Sequence, residues 1–197
     1  RVARLTDQAM AGDIDFGEAL KRRLELLKLT RTHVEALADR ILGELTPSVR
    51  RNARFFAEHA DRIIIVSGGF REIIAPVAAE LGIAPDRVLA NDLLYDGEGR
   101  VTGVDEANPL SREGGKAEAL KALKLAGPVI LIGDGWNDAV MKKAGVVDRF
   151  YAFTEVVRRE PVVAAADGEA RSLDEVLHAE GLGGRWSFPR SRMKILL

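Results

Sequence analysis

The sequence contains no cysteine, which removes disulfides, thiolate nucleophiles and cysteine-based zinc sites together and fits a reducing compartment, by default the cytoplasm. Charge of one sign is not in excess either. With 29 Lys and Arg against 30 Asp and Glu, no global field draws the chain toward nucleic acid or an acidic membrane. Apolar runs such as Ile63 to Val66 are far too short to span a bilayer, and Arg1 opens no basic-then-apolar leader pattern. The three histidines, His33, His59 and His178, lie apart on helical stretches and offer neither a metal triad nor a proton relay. A P-loop lysine motif, a G-x-G-x-x-G fingerprint and a G-x-S-x-G elbow are missing, as are internal repeats and low-complexity tracts.

What remains, in 197 residues, is room for one core or for one core with a small accessory domain. The first fifty residues read as helix: IDFGEALKRRLELLKL and THVEALADRILGEL carry apolar residues at helical spacing and predict a small helical bundle. From Asp61 the texture becomes an alternation of short apolar runs and helical stretches: RIIIV, FREIIAPVAAELGI, RVLANDLLY, KAEALKALKLAG, PVILI, NDAVMKKAG and RFYAF. That alternation predicts parallel strands joined by crossover helices, an α/β sheet open at one end. LLYDGEGRVTGV, with its Asp-Gly-Glu-Gly turn between extended pieces, predicts a hairpin. GLGGRWSFPRSRMKILL reads as a linker running into a new apolar run at Met193, as if a further domain opened there.

In open α/β sheets ligands sit beyond the carboxyl ends of the strands, so the residues just after each apolar run carry the chemistry. After RIIIV come Ser67, Gly68 and Gly69 and then a helix, a place where a hydroxyl and unpaired N–H groups suit an anion such as phosphate; a plain turn or N-cap suits Ser67 equally well. After PVILI come Asp134 and Asp138, four residues apart in a Gly-rich turn with Asn137 between them. Taken singly, Asp134 is a turn former and Asp138 an N-cap; two acids and an asparagine on one loop suit a hard cation such as Mg²⁺ that keeps several waters. Lys116 opens a helix, where the dipole does not favour a cation, and is either a solvated charge or one held against phosphate and carboxylate. Asp13 and Asp15 resemble a catalytic pair but follow no strand, and Asp15 with Glu18 has the form of a capping box. Phe16, Leu20 and Arg23 share a helix face, and an arginine on an apolar stripe either snorkels or binds a buried anion. Trp136 either walls a pocket or packs.

Serine-Gly-Gly after one strand, a lysine before the next and G-D-G-x-N-D after that strand, in this order, resemble the haloacid dehalogenase superfamily of phosphatases. More narrowly, DFGEALKRRLELL, VSGGF, VLANDLLYDGEGRVTG, GGK and IGDGWND are similar to the phosphoserine phosphatase pattern, over about Asp13 to Leu177. The resemblance implies a Rossmannoid three-layer α/β core with a parallel sheet, at residues 56–180, under a helical-bundle cap, at residues 1–55, with 181–197 as linker. It implies that Asp134 binds Mg²⁺ and Asp138 supports the metal and its waters. Ser67, the Gly68 amide, Gly69 and Lys116 would hold the phosphoryl group, Asn137 would reach toward substrate, and Phe16 and Arg23 would act from the cap, Arg23 on the substrate carboxylate. The activity implied is hydrolysis of O-phosphoserine in serine biosynthesis, through an aspartyl-phosphate.

One part of the pattern is not in the sequence. The family's nucleophile lies in D-x-D-x-T at the end of a first, central strand, which would fall 15 to 20 residues before Arg1, and no such motif occurs here. Without it no aspartyl-phosphate forms, so residues 1–197 alone are expected to be inactive, and a binding module regulating a fused enzyme becomes the rival reading. That strand belongs between RIIIV and PVILI, and an empty slot there would strand backbone groups on both sides, so a segment outside this sequence or another part of it must fill the place. MKILL reads as the first strand of a following α/β domain, and a fused phosphoglycerate dehydrogenase would suit the implied substrate.

Overall fold

The computed structural model describes residues 1–182 and 193–196. The expected linker at 183–192 and Leu197 lie outside the described residues. Helix α1 (Val2–Ala11) ends at Gly12, whose φ of 87° is a left-handed cap that glycine adopts without strain. Asp15 then starts α2 (Phe16–Leu27) by accepting from the Glu18 amide at 2.8 Å, so this acid is a helix cap. In α3 (Arg31–Leu42) Thr30 and His33 cap each other's backbone, which gives His33 a structural place. Two short helices, α4 (Pro47–Arg51) and α5 (Ala53–His59), lead into the sheet.

Strand β1 (Ile63–Phe70) feeds α6 (Arg71–Glu80) and β2 (Val88–Asn91). The expected hairpin follows as β3 (Leu93–Tyr95) and β4 (Val101–Val104), antiparallel. It docks on the first helices: Arg31 N donates to Gly99 O at 2.8 Å and Val101 N to Leu29 O at 2.9 Å. Phe16, Leu20, Val34, Leu93 and Val104 form one small apolar core between α2, α3 and the hairpin. The chain continues through α7 (Gly115–Ala122), β5 (Val129–Gly133), α8 (Trp136–Lys143), β6 (Arg149–Phe153), α9 (Glu160–Ala165), β7 (Gly168–Ala170), α10 (Leu173–Ala179) and β8 (Lys194–Leu196).

Six strands pair in parallel in the order β2-β1-β8-β5-β6-β7. Their side chains alternate strictly across the sheet. Ile63, Ile130 and Ile195 face a core shared with Phe56, Leu173 and Val176, whereas Ile64, Leu131 and Leu196 face a second core shared with Ala117, Leu120, Met141 and Val162. Burial on both faces explains why the strands read as continuous apolar runs. The place between β1 and β5 is filled by the chain itself: Ile195 stands level with Ile63 and Ile130, and Leu196 with Ile64 and Leu131. Residues 194–196 are thus an inner strand of this sheet, since an apolar strand with two unpaired edges facing it has a ready place there. Among the described residues no helix is long and apolar enough to cross a membrane.

Candidate active site

The carboxyl ends of β1 and β5 open on one side into a cavity of about 310 Å³, roofed by α1 and α2. Phe16, Arg23, Ser67, Gly68, Gly69, Lys116, Asp134, Asn137 and Asp138 all line it, although they come from four separate stretches of sequence. A larger hollow, about 830 Å³, lies between α2 and the β3–β4 hairpin and is lined by none of these residues; Leu24 lines both.

Glycines set the close approaches. A Cβ on Gly115 would overlap the Pro109 carbonyl, so only glycine lets α7 start there and bring Lys116 inward. A Cβ on Gly133 would come within 2.9 Å of the Asp138 Cβ, and its absence lets Asp138 fold back over the turn. Asp138 then accepts from the Gly135 amide at 3.0 Å with one oxygen and from Lys116 Nζ at 2.7 Å with the other. The N-cap of α8 is thus Gly135 and not Asp138, which stands at the third helical position and reaches back to the Gly135 amide while its other oxygen holds Lys116. Lys116 is half-buried against a buried carboxylate, so its position at a helix start is compensated by a direct charge-assisted bond.

Ser67 Oγ accepts from the Gly69 amide at 3.0 Å, which leaves its own proton to donate into the cavity. Behind it the fully buried Asn91 donates from Nδ2 to Gly68 O and to Leu110 O, both at 3.0 Å, tying the β1 terminus to the segment that leads to Lys116. Asp134 accepts from Arg159 Nη1 at 2.6 Å, and the same nitrogen donates to the Asp134 carbonyl at 3.1 Å. With Lys116 and Arg159 each paired to an aspartate, Arg23 is the cation in excess. No carboxylate of the described residues pairs with it, and burial pulls its pKa below the ordinary arginine value. Trp136 packs beside Gly12, where any side chain would overlap its ring, and so joins the α1–α2 turn to α8.

Four contributors lie outside the residues singled out from sequence. Arg159 sits in the loop after β6, again at the carboxyl end of a strand. Asn91 ends β2 and has no local mark. Thr6 and Met10 line the cavity from α1, and with Val2 they recur every four residues, a helical stripe that spacing alone discloses.

Two carboxylates on one loop are hard oxygen donors of the kind Mg²⁺ takes. Asp134 keeps one oxygen uncommitted among the described residues, whereas both oxygens of Asp138 are engaged, so the donor set fits a cation carried mainly by Asp134 and by waters. Among the described residues no cluster of three or more His, Cys, Asp or Glu is placed to enclose a metal.

Comparison with known proteins gives the family. The family model of haloacid dehalogenase-like hydrolase matches residues 3–143. The chain is 38% identical over 169 residues to the chloroplastic phosphoserine phosphatase of Arabidopsis thaliana, covering 84% of this chain and 57% of that protein. It is 33% identical over 181 residues to the phosphoserine phosphatase of Bos taurus, covering 90% and 80%. A phosphoserine phosphohydrolase-like protein from Francisella tularensis superposes with a TM-score of 0.81 at 26% identity, over 90% of this chain and 83% of that one. Since the matched residues include the strand ends, the helices over them and the cavity between, the chain belongs to the haloacid dehalogenase-like hydrolases and is a phosphoserine phosphatase-like member of that family.

Proposed function

We propose that the cavity binds O-phospho-L-serine for hydrolysis to serine and phosphate with Mg²⁺. The observation that carries this reading is one small cavity with a phosphate-type cluster, Ser67, Gly68 and Lys116, at the strand ends and the acid-free Arg23 in its roof. Phosphoserine has a phosphate at one end and a carboxylate at the other, and a guanidinium fork suits the carboxylate.

In this reading the Ser67 hydroxyl, the Gly68 amide and Lys116 Nζ donate to phosphoryl oxygens, where negative charge builds as the ester bond breaks. Gly69 holds Ser67 in position, and Asn137 faces the middle of the substrate. Asp138 fixes Lys116, and Asp134 would hold Mg²⁺, which when bound neutralises phosphoryl charge. Phe16, Leu20 and Met10 close the cavity against bulk water. The attacking carboxylate would form an aspartyl-phosphate that water then hydrolyses. Among the described residues the carboxylates lining the cavity are Asp134 and Asp138, which are held by Arg159 and Lys116.

The second reading is a module that binds phosphoserine or serine without turning it over and regulates a fused enzyme such as a dehydrogenase. Both readings share the ligand. Calorimetric titration of O-phospho-L-serine with Mg²⁺ into wild type and Arg23→Ala tests it, with phosphate release followed in the same samples. Binding weakened at least about tenfold by Arg23→Ala supports the ligand assignment, since a hydrogen-bonded charge contact carries roughly that factor. Equal affinity in the two proteins overturns it. Phosphate release separates enzyme from binding module.

A further inference from the structure

Arg23 reaches the cavity from α2 with its guanidinium held at two points. Nε donates to Ala19 O on the same helix at 3.3 Å, and Nη1 donates to Thr6 Oγ1 at 3.2 Å. Thr6 belongs to α1, seventeen residues away, and donates its own proton to Val2 O at 3.2 Å. A hydroxyl has one proton, so once it is committed to Val2 the oxygen presents only lone pairs to the arginine. The β-branch of Thr6 restricts its χ1 on the helix, which keeps that lone pair in place.

We propose that Thr6 is a positioning residue for carboxylate recognition: by accepting from Nη1 it holds the Arg23 guanidinium toward the cavity before ligand arrives. The donor count supports this. A guanidinium has five N–H groups; Ala19 O and Thr6 take two, and a carboxylate needs two of the remaining three. The arginine is partly buried with no acid among the described residues to orient it, so a neutral acceptor is the one kind of group that can aim it without neutralising its charge. An acid at position 6 would pair with Arg23 and compete with the ligand. Ordering the long side chain in advance also removes part of the entropy loss on binding.

The inference rests on the proposed carboxylate role of Arg23, and the test separates the two. O-phospho-L-serine and phosphoethanolamine, which has the phosphate and the amine but no carboxylate, are titrated with Mg²⁺ into the whole chain as wild type, Thr6→Val and Thr6→Ser. Thr6→Val keeps the branched shape and loses the acceptor. The expected result is that wild type prefers phosphoserine and that Thr6→Val weakens phosphoserine roughly tenfold, with phosphoethanolamine within about twofold. Thr6→Ser should restore most of the loss. If wild type does not distinguish the ligands, the carboxylate reading itself fails. If wild type distinguishes them but Thr6→Val either changes nothing or weakens both equally, Thr6 has no positioning role.

Discussion

The ring of Phe16, the first residue of α2, lies against Gly68 at the end of β1 so closely that any side chain on Gly68 would overlap it. This contact seats the helical roof on the phosphate-type loop. Gly68→Ala should therefore displace Phe16 and cost about 1–3 kcal/mol, as overpacking does. Adding Phe16→Ala should recover part of that loss, and urea unfolding of the two single variants and the double variant measures the coupling. Strictly additive losses would mean that Gly68 is needed for some reason other than room for Phe16.

Lys116 and Asp138 are 2.7 Å apart with side chains only 16% and 7% exposed. Breaking such a pair strands a buried charge, so Lys116→Met should destabilise the fold by about 3 kcal/mol, less if water reaches Asp138. Asn at 138 still accepts from the Gly135 amide but carries no charge, so Asp138→Asn in the Lys116→Met background should be less harmful than Lys116→Met alone. Denaturant midpoints decide. A double variant weaker than Lys116→Met would show that the Asp138 negative charge is stabilised by the Gly135 turn and not by the lysine.

How much of this was legible in sequence follows from the range of each interaction. Ser67, Gly68, Asp134 and Asp138 are readable because they directly follow apolar runs that are buried strands. Arg23 is readable because it interrupts an apolar helical stripe. Arg159 is not, since Arg158 is its neighbour and nothing local says which one turns inward: Arg158 pairs with Glu169 and Arg159 with Asp134. The apolar pattern of MKILL announces a strand but not its sheet. Its place was decided by two unsatisfied strand edges far away in sequence, at Ile63–Ile64 and Val129–Leu131.

A pH effect is expected at the contact between α2 and the turn before α7. Burial first, and then the hydrogen bond and negative charge of Asp15, raise the Glu113 carboxyl above its ordinary 4.5. The folded state thus holds this proton more tightly than the unfolded chain does. The contribution is intact below about pH 4.5, and stability is lost as pH rises from there through the raised value. Arg112 next door is turned to Glu118, so it leaves the two acids facing each other. Glu113→Gln should remove this decline, leaving the variant closer to wild type at low pH and more stable than wild type near pH 7. Melting temperatures across pH 4.5–7.5 check the sign; a steeper decline in the variant would show that the Glu113 proton does not bridge to Asp15.

The strand at Lys194–Leu196 carries the last prediction. Ile195 is buried between Ile63 and Ile130, in the middle of the sheet and in contact with the core under α5 and α10. An aspartate there would need either an ionised carboxylate in an apolar layer or ejection of the strand, and ejection leaves the facing edges of β1 and β5 without backbone partners. Ile195→Asp should lower stability by several kcal/mol, whereas Leu94→Asp, at a hairpin position 47% exposed, should change it little. Hydrogen exchange gives the decisive readout. If the strand is a working part of the sheet, protection in the variant falls at Ile63–Ile64 and Val129–Leu131 while the outer pair β6–β7 keeps its protection. Unchanged protection at those inner strands would mean that the sheet does not depend on residues 194–196, and the two central strands would then require another partner.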